Sequence, residues 1–357
     1  MQITNQPVYI PESKYLQAID AYAAQIKHQP GVLGVHSIGS IGTPGLSDID
    51  LIVTVADNFD IKHSPYLSVK NIDNQLFLHG PVIVPLSIKN YLQYIVYASN
   101  IQPVWGNVSL PDFHQLSPQH QTSLACCYLI DFIESRFMQY AATQNKLDKR
   151  AWLTRVWSSL HSCTLYEIAT GLSLNENELL WVNQIKNTRT EWSEKKTVSD
   201  DIFLKAFFAS KKLNINLYLK SLNHVYGQPT LEKNVLIDLG LKKMYFSNHI
   251  KHPYFKYQQI NLMHKSLALF TGFYPPAFLA HLQSYQESLP GQWIQMPAKD
   301  SAYMEVANKR FSIVKEHHRW LEEHLSNLNY LSGYVCLNQP KKSLLTQFKH
   351  LLSKCIF

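Results

Sequence analysis

Two carboxylates separated by one residue, Asp48 and Asp50, stand in the run SDIDLIVTV, residues 47–55. On an extended chain, side chains two apart point to one face, so the pair is expected on a strand with both acids together. Such a pair suits a hard divalent cation. Mg²⁺ usually takes one or two carboxylates and completes its shell with water and substrate phosphate. Seven residues separate Asp48 from Gly39-Ser40, which closes the short apolar run VLGVHSI. A glycine there lets the backbone approach a phosphate closely, and successive N–H groups with a hydroxyl can bind its oxygens. Phosphate clamp, short loop and D-x-D strand together describe a site for metal-assisted attack on a nucleotide phosphate. A surface turn that happens to carry two acids leaves unexplained why they sit inside an apolar strand, where unpaired carboxylates are costly.

The surrounding sequence supplies elements to hold these residues. Residues 14–28 place apolar side chains at helical spacing, and 32–40 and 48–55 read as strands. Residues 75–88 read as two further strands broken at Gly80-Pro81, 89–99 as a helix, and Trp105-Gly106 as loop. The first ~115 residues therefore read as an α/β or α+β domain, with the α+β form, a mixed sheet with flanking helices, as the expectation. After Pro118 the period is helical, with helices over 119–143, 149–171, 175–188, 199–225, 256–271, 276–288, 303–329 and 342–355. Gly171 and Gly227 fit helix C-terminal positions, and Gln228-Pro229 separates two helical groups. Three units are expected, at 1–115, 119–227 and 228–357, the last two all-helical.

Composition narrows the function classes. Apolar residues make up 46% of the 357, enough for buried cores, which excludes a disordered chain. The net charge of +7 is uneven: residues 1–118 hold five Lys, no Arg and eight acids, net −3, and the remaining 28 bases and 18 acids give +10. A basic second half beside an acidic first half can steer an anionic ligand toward their boundary, although a solvated basic surface reads the same way. Five cysteines without a C-x-x-C pair fit a reducing, cytoplasmic setting. The N-terminus lacks the basic and apolar regions of a signal peptide, and the longest uncharged stretches contain prolines and many polar residues, so no membrane span is expected.

The stretch 36–55 resembles the nucleotidyltransferase superfamily that includes DNA polymerase beta and the aminoglycoside nucleotidyltransferases. The residues that carry the resemblance are Ile38-Gly39-Ser40, the loop ending in Leu46-Ser47, and Asp48-Ile49-Asp50 leading into Leu51-Ile52-Val53. The resemblance implies Mg²⁺ or Mn²⁺ on Asp48 and Asp50, phosphate binding by Gly39, Ser40 and Ser47, and an NTP, ATP first, as nucleotide substrate. It also implies transfer of a nucleoside monophosphate to a hydroxyl on a small molecule, protein or RNA. The family's third carboxylate belongs within 82–88, which reads VIVPLSI and has no acid. His79, in the L-H-G-P turn, or Ser87 is the nearest polar candidate, and His79 is taken as the catalytic stand-in. A weaker resemblance covers Leu160–Asn175, where Thr170-Gly171 matches a helix end of the aminoglycoside enzymes. Arg150 or Arg155 is the candidate for bringing positive charge to the triphosphate. The alternative is a nucleotide-binding or interaction protein of the same fold, catalytically impaired by loss of the third acid.

Other groups carry weaker signals. His317, His318 and His324 lack the i, i+4 spacing of a zinc helix, and His249 with His252 has no partner pair. Lys341-Lys342 and the basic amphipathic C-terminal segment suit packing on the body, anionic lipid or RNA. The paired lysines of the helical region form no RNA-binding motif.

Overall fold

The structure is a computed structural model that describes residues 1–69, 72–73, 75–143, 146–238, 242–262, 265–285, 294–295 and 301–325. The expected helix 342–355, Lys341-Lys342, Cys336, Cys355 and the ends of helices 276–288 and 303–329 lie outside these residues.

The amino-terminal part runs β1 (Gln2–Thr4), α1 (Glu12–Ile26), β2 (Val32–Ile38), β3 (Asp50–Val55), β4 (Val82–Pro85), α2 (Leu92–Ile95) and β5 (Gln102–Gly106). Four strands form one mixed sheet in the order β4-β3-β2-β5. β2 is antiparallel to β3 and β5, and β3 is parallel to β4. The central strand β3 is apolar on both faces because both are covered. Leu51 and Val53 pack with Tyr15, Tyr22 and Ile26 of α1, and Ile52 joins the helical core on the other side.

Four long helices follow: α3 (Pro118–Ala142), α4 (Lys149–Thr170), α5 (Glu176–Lys195) and α6 (Asp200–Tyr226), with β6 (Lys146–Asp148) pairing parallel to β1 before α4. Their caps match the sequence. Asp148, Asn175 and Ser199 accept the backbone N–H groups that start α4, α5 and α6. Gly171 takes φ +67° at the end of α4.

Four expectations are corrected. Residues 228–357 are not all-helical: β8 (Val235–Asp238), β9 (Lys242–Phe246), β10 (Tyr254–Leu262) and β11 (Lys265–Tyr274) form a second mixed sheet, following the short β7 (Thr230–Leu231). Where the helix 256–271 is expected, β10 and β11 pair antiparallel, and β9 pairs parallel to β11 on its other side. α7 (Pro276–Tyr285), β12 (Ile294–Gln295) and α8 (Ser301–His324) complete the order. Secondly, residues 75–79 form turns rather than a strand, because the Asp73 carboxylate takes the N–H groups of Gln75 and Leu76 at 2.8 and 3.2 Å. Thirdly, Trp105-Gly106 ends edge strand β5, where Pro103 is tolerated since an edge needs no ladder donor on its outer side. Residues 86–91 are a 3₁₀ turn leading into the short α2 rather than part of one helix.

α8 covers the β4 edge. His317 is fully buried and donates from Nε2 to the Ile83 carbonyl at 2.6 Å, and Trp320 donates to the Asp57 carbonyl at 2.9 Å. Burial pushes the His317 imidazole down to about 4. The folded value lies below the unfolded 6.5, so protons bind the unfolded chain preferentially and stability falls as pH drops through that window. We expect His317→Gln, which keeps an N–H donor, to remove about 2 kcal/mol of the loss seen between pH 7 and pH 5 in urea unfolding. A variant with the wild-type pH slope would refute the assignment.

Candidate metal centre

The chain folds so that the ends of two parallel strands meet. Ile52 pairs with Val82, so stepping back two residues on each strand brings Asp50 beside Gly80, with His79 next to it. One donor atom each from Asp48, Asp50 and His79 lies within 4.8 Å of the others. The structure thus joins the three residues read from the sequence as a cluster. Asp48 sits just before β3 rather than within it, and its Ile49 neighbour is held extended by an N–H to Leu76 carbonyl bond of 2.9 Å.

His79 Nε2 lies 2.8 Å from Asp50 Oδ1, with the two side chains 35% and 39% exposed. His79 Nδ1 donates to the Gly80 carbonyl at 2.8 Å. That bond leaves Nε2 as the nitrogen facing the acids, the arrangement found where imidazole ligates a metal. Burial alone would lower the His79 pKa, but the hydrogen bond and charge of Asp50, with help from Gly80 and Asp48, raise it to about 9. Burial and then the Asp50 charge push Asp48 up to about 6. In the metal-free protein an imidazolium therefore partners two crowded carboxylates. Two carboxylates and an imidazole aimed at one point form a donor set for a divalent cation.

The loop before Asp48 is fastened from four directions. Arg150 donates to the carbonyls of Leu46 and Ser47, both at 2.9 Å, and of Gln75 at 3.2 Å. Thr154 also reaches the Leu46 carbonyl, and Trp192 Nε1 donates to the Pro44 carbonyl at 2.9 Å. The Tyr15 hydroxyl donates to the Ser47 carbonyl and accepts the Gly45 N–H. Gly45 has φ +88°, and a Cβ there would stand 2.7 Å from the Trp192 ring, so only glycine fits.

Four sequence expectations change in this setting. Arg150 is spent on carbonyls and positions the loop, so it is not the free cation expected for a triphosphate; Arg155 lies over the Trp152 ring and lines neither cavity at the cluster. Ser47 Oγ accepts the Thr43 N–H at 2.9 Å and shapes the same loop while lining the polar cavity. The Gly39 N–H donates to the Ser99 carbonyl at 3.1 Å, which removes it as a phosphate donor. Ser87, at the far end of β4, gives its N–H to Asp57 and stands away from the cluster.

Two cavities open on Asp50. The smaller, about 140 Å³, is the more polar of the two, with Ser40, Ser47, Asp48, Thr188 and Arg189 beside apolar Ile38, Leu46 and Leu153. The larger, about 340 Å³, is lined chiefly by Tyr97, Tyr128, Phe132, His161 and Leu165, together with Gly39 and His79. Only the larger has the size of an ordinary ligand pocket. Arg189 is the residue sequence reasoning missed. Its guanidinium lies 3.6 Å from the Trp157 ring centre, its Nε is buried without a hydrogen-bond partner, and burial lowers it to about 10. A Cβ on Gly42 would come within 3.1 Å of its Nη1, so glycine leaves that space to the guanidinium. His161 meets Tyr97 edge-on at 4.5 Å, and burial lowers its pKa, leaving a neutral imidazole in the larger cavity.

No family model, curated protein or solved structure matches this chain. No helix among the described residues is long and apolar enough to cross a membrane.

Proposed function

We propose that the protein is a divalent-metal-dependent nucleotidyltransferase that moves a nucleoside monophosphate from an NTP, ATP first, to a hydroxyl acceptor. The observation that carries this reading is the Asp48, Asp50 and His79 cluster at the junction of a polar, arginine-bearing cavity and a larger aromatic one. Asp48, Asp50 and His79 would hold Mg²⁺ or Mn²⁺, which when bound supplies charge neutralisation at the phosphate under attack. Ser40 and Arg189 bind the phosphate chain, and the aromatic cavity takes a flat or apolar group of the nucleotide or acceptor. In this reading residues 1–115 carry the metal and 119–227 shape the acceptor side. Cys126, Cys127 and Cys163 are buried and unbridged, in keeping with a reducing, cytoplasmic setting.

The direct test is pyrophosphate release from each NTP with Mg²⁺ or Mn²⁺, alongside thermal unfolding with the same additions. Metal-NTP at a hundredfold excess over Kd should stabilise the protein by about 2.7 kcal/mol. Absence of both release and stabilisation would overturn the proposal. Stabilisation without release would favour a nucleotide-binding protein that lacks transfer, a reading supported by the missing acid in 82–88 and by the occupied Gly39 N–H.

Arg189 gives a separate prediction. Loss of a charge-assisted hydrogen bond to phosphate costs about 1.5–3 kcal/mol, so Arg189→Ala should weaken NTP binding by roughly 10–100-fold. Arg189→Lys should recover only part, because an ammonium cannot lie flat on Trp157. Calorimetric titration with NTP checks this; equal affinity in wild type and Arg189→Ala would remove Arg189 from the site.

A further inference from the structure

We infer that the Asp48–Asp50–His79 site selects a divalent transition-metal ion of the Mn²⁺ or Co²⁺ kind over Mg²⁺. This rests on reading the cluster as a metal centre and goes beyond it by naming the class of ion.

The first argument is the donor set. Mg²⁺ prefers oxygen ligands in a strict octahedron and gives up water reluctantly, whereas imidazole suits later first-row ions. The strand β4, which reads Val-Ile-Val-Pro, offers no side-chain oxygen. The parallel register instead sets His79 beside Asp50. The second argument is orientation. The Gly80 carbonyl takes the Nδ1 proton, so Nε2 is presented to the carboxylates without rotating the ring. The third is charge. Asp48 and Asp50 bring two carboxylates into one half-buried spot, within reach of one another. A bound dication offsets that crowding of like charge.

The experiment uses the full chain, stripped with chelator, without nucleotide. Mn²⁺, Co²⁺ and Mg²⁺ are titrated in turn by calorimetry, and the Mn²⁺ form is read by electron spin-echo modulation, which detects a directly bound ¹⁴N. We expect one Mn²⁺ or Co²⁺ per chain, bound at least about tenfold tighter than Mg²⁺, with ¹⁴N modulation present. His79→Asp should abolish the modulation and bring Mg²⁺ to within about threefold of Mn²⁺. Mg²⁺ binding as tightly as Mn²⁺ in wild type, or Mn²⁺ bound without ¹⁴N modulation, would overturn the inference. If His79→Asp does not fold, the wild-type spectrum and affinities decide alone. The nucleotide reading is judged separately: failure of NTP to stabilise a protein that still prefers Mn²⁺ refutes transfer and leaves this site standing. NTP turnover with an all-oxygen Mn²⁺ spectrum does the reverse.

Discussion

Asp48→Asn is expected to reduce metal-dependent turnover by more than about a hundredfold, since losing a ligand exceeds the cost of losing the partner behind one. The same change should leave the metal-free protein more stable. Burial and the neighbouring Asp50 hold the Asp48 pKa at about 6, above its ordinary value of 3.8. A carboxyl raised in this way binds its proton more tightly in the folded chain, so stability declines as pH rises from about 4 through 6. The amide carries no such penalty, and after allowance for partial exposure the gain at pH 7 is about 1 kcal/mol. Asp50→Asn should also abolish turnover, but it breaks the 2.8 Å contact with His79 and should not gain stability. Thermal unfolding with and without metal-NTP separates the outcomes. If Asp48→Asn melts earlier than wild type, and wild type gains nothing from metal-NTP, the aspartate is a structural cap and the proposed function fails.

Arg150→Met should lower stability by about 3 kcal/mol and weaken divalent-ion binding, although Arg150 belongs to no ligand set. The guanidinium serves three backbone carbonyls, of Leu46, Ser47 and Gln75, and burial already lowers its pKa, so its removal strands buried acceptors. Each unsatisfied buried group costs about 1–3 kcal/mol. Tyr15 and Thr154 still reach two of those carbonyls, which keeps the total below the full sum. Methionine retains the length of the side chain, so packing is a minor part of the effect. Urea unfolding measures the first quantity and Mn²⁺ titration the second. A variant as stable as wild type would show that the remaining bonds suffice to hold the loop.

Much of the amino-terminal arrangement was legible because its signals are local. The spacing of Tyr15, Ile19, Tyr22 and Ile26 gives α1, and the apolar run after Asp50 gives a strand covered on both faces. Asp48, Asp50 and His79 were legible as types, and their meeting follows from one parallel pairing. The strand pair 254–262 and 265–274 was not legible. Its Lys, Gln and Leu residues are good helix formers, and pairing of the two strands with each other and of β11 with β9 decides for strand. Pro103 hid β5 because the sequence does not say which strand lies at an edge. Arg150 and Arg155 are candidates only because the first domain has no arginine, and Arg150 serves carbonyls instead. Arg189 has no local signal at all: it reaches the polar cavity only because α5 folds back past Gly42.

The fasteners of the Asp48 loop come from far along the chain. Leu46, Ser47 and Pro44 receive their bonds from residues 104, 103 and 148 positions away. A ribosome adds about 5–20 residues each second, so Trp192 is made roughly 7–28 s after Asp50. Until Arg150 is made the nascent chain can build β2 and β3, whose contacts are close in sequence, while Tyr15 alone of these fasteners is present to hold the loop. The Asp48, Asp50 and His79 cluster thus gains its full bracing late in synthesis, once α5 has been made.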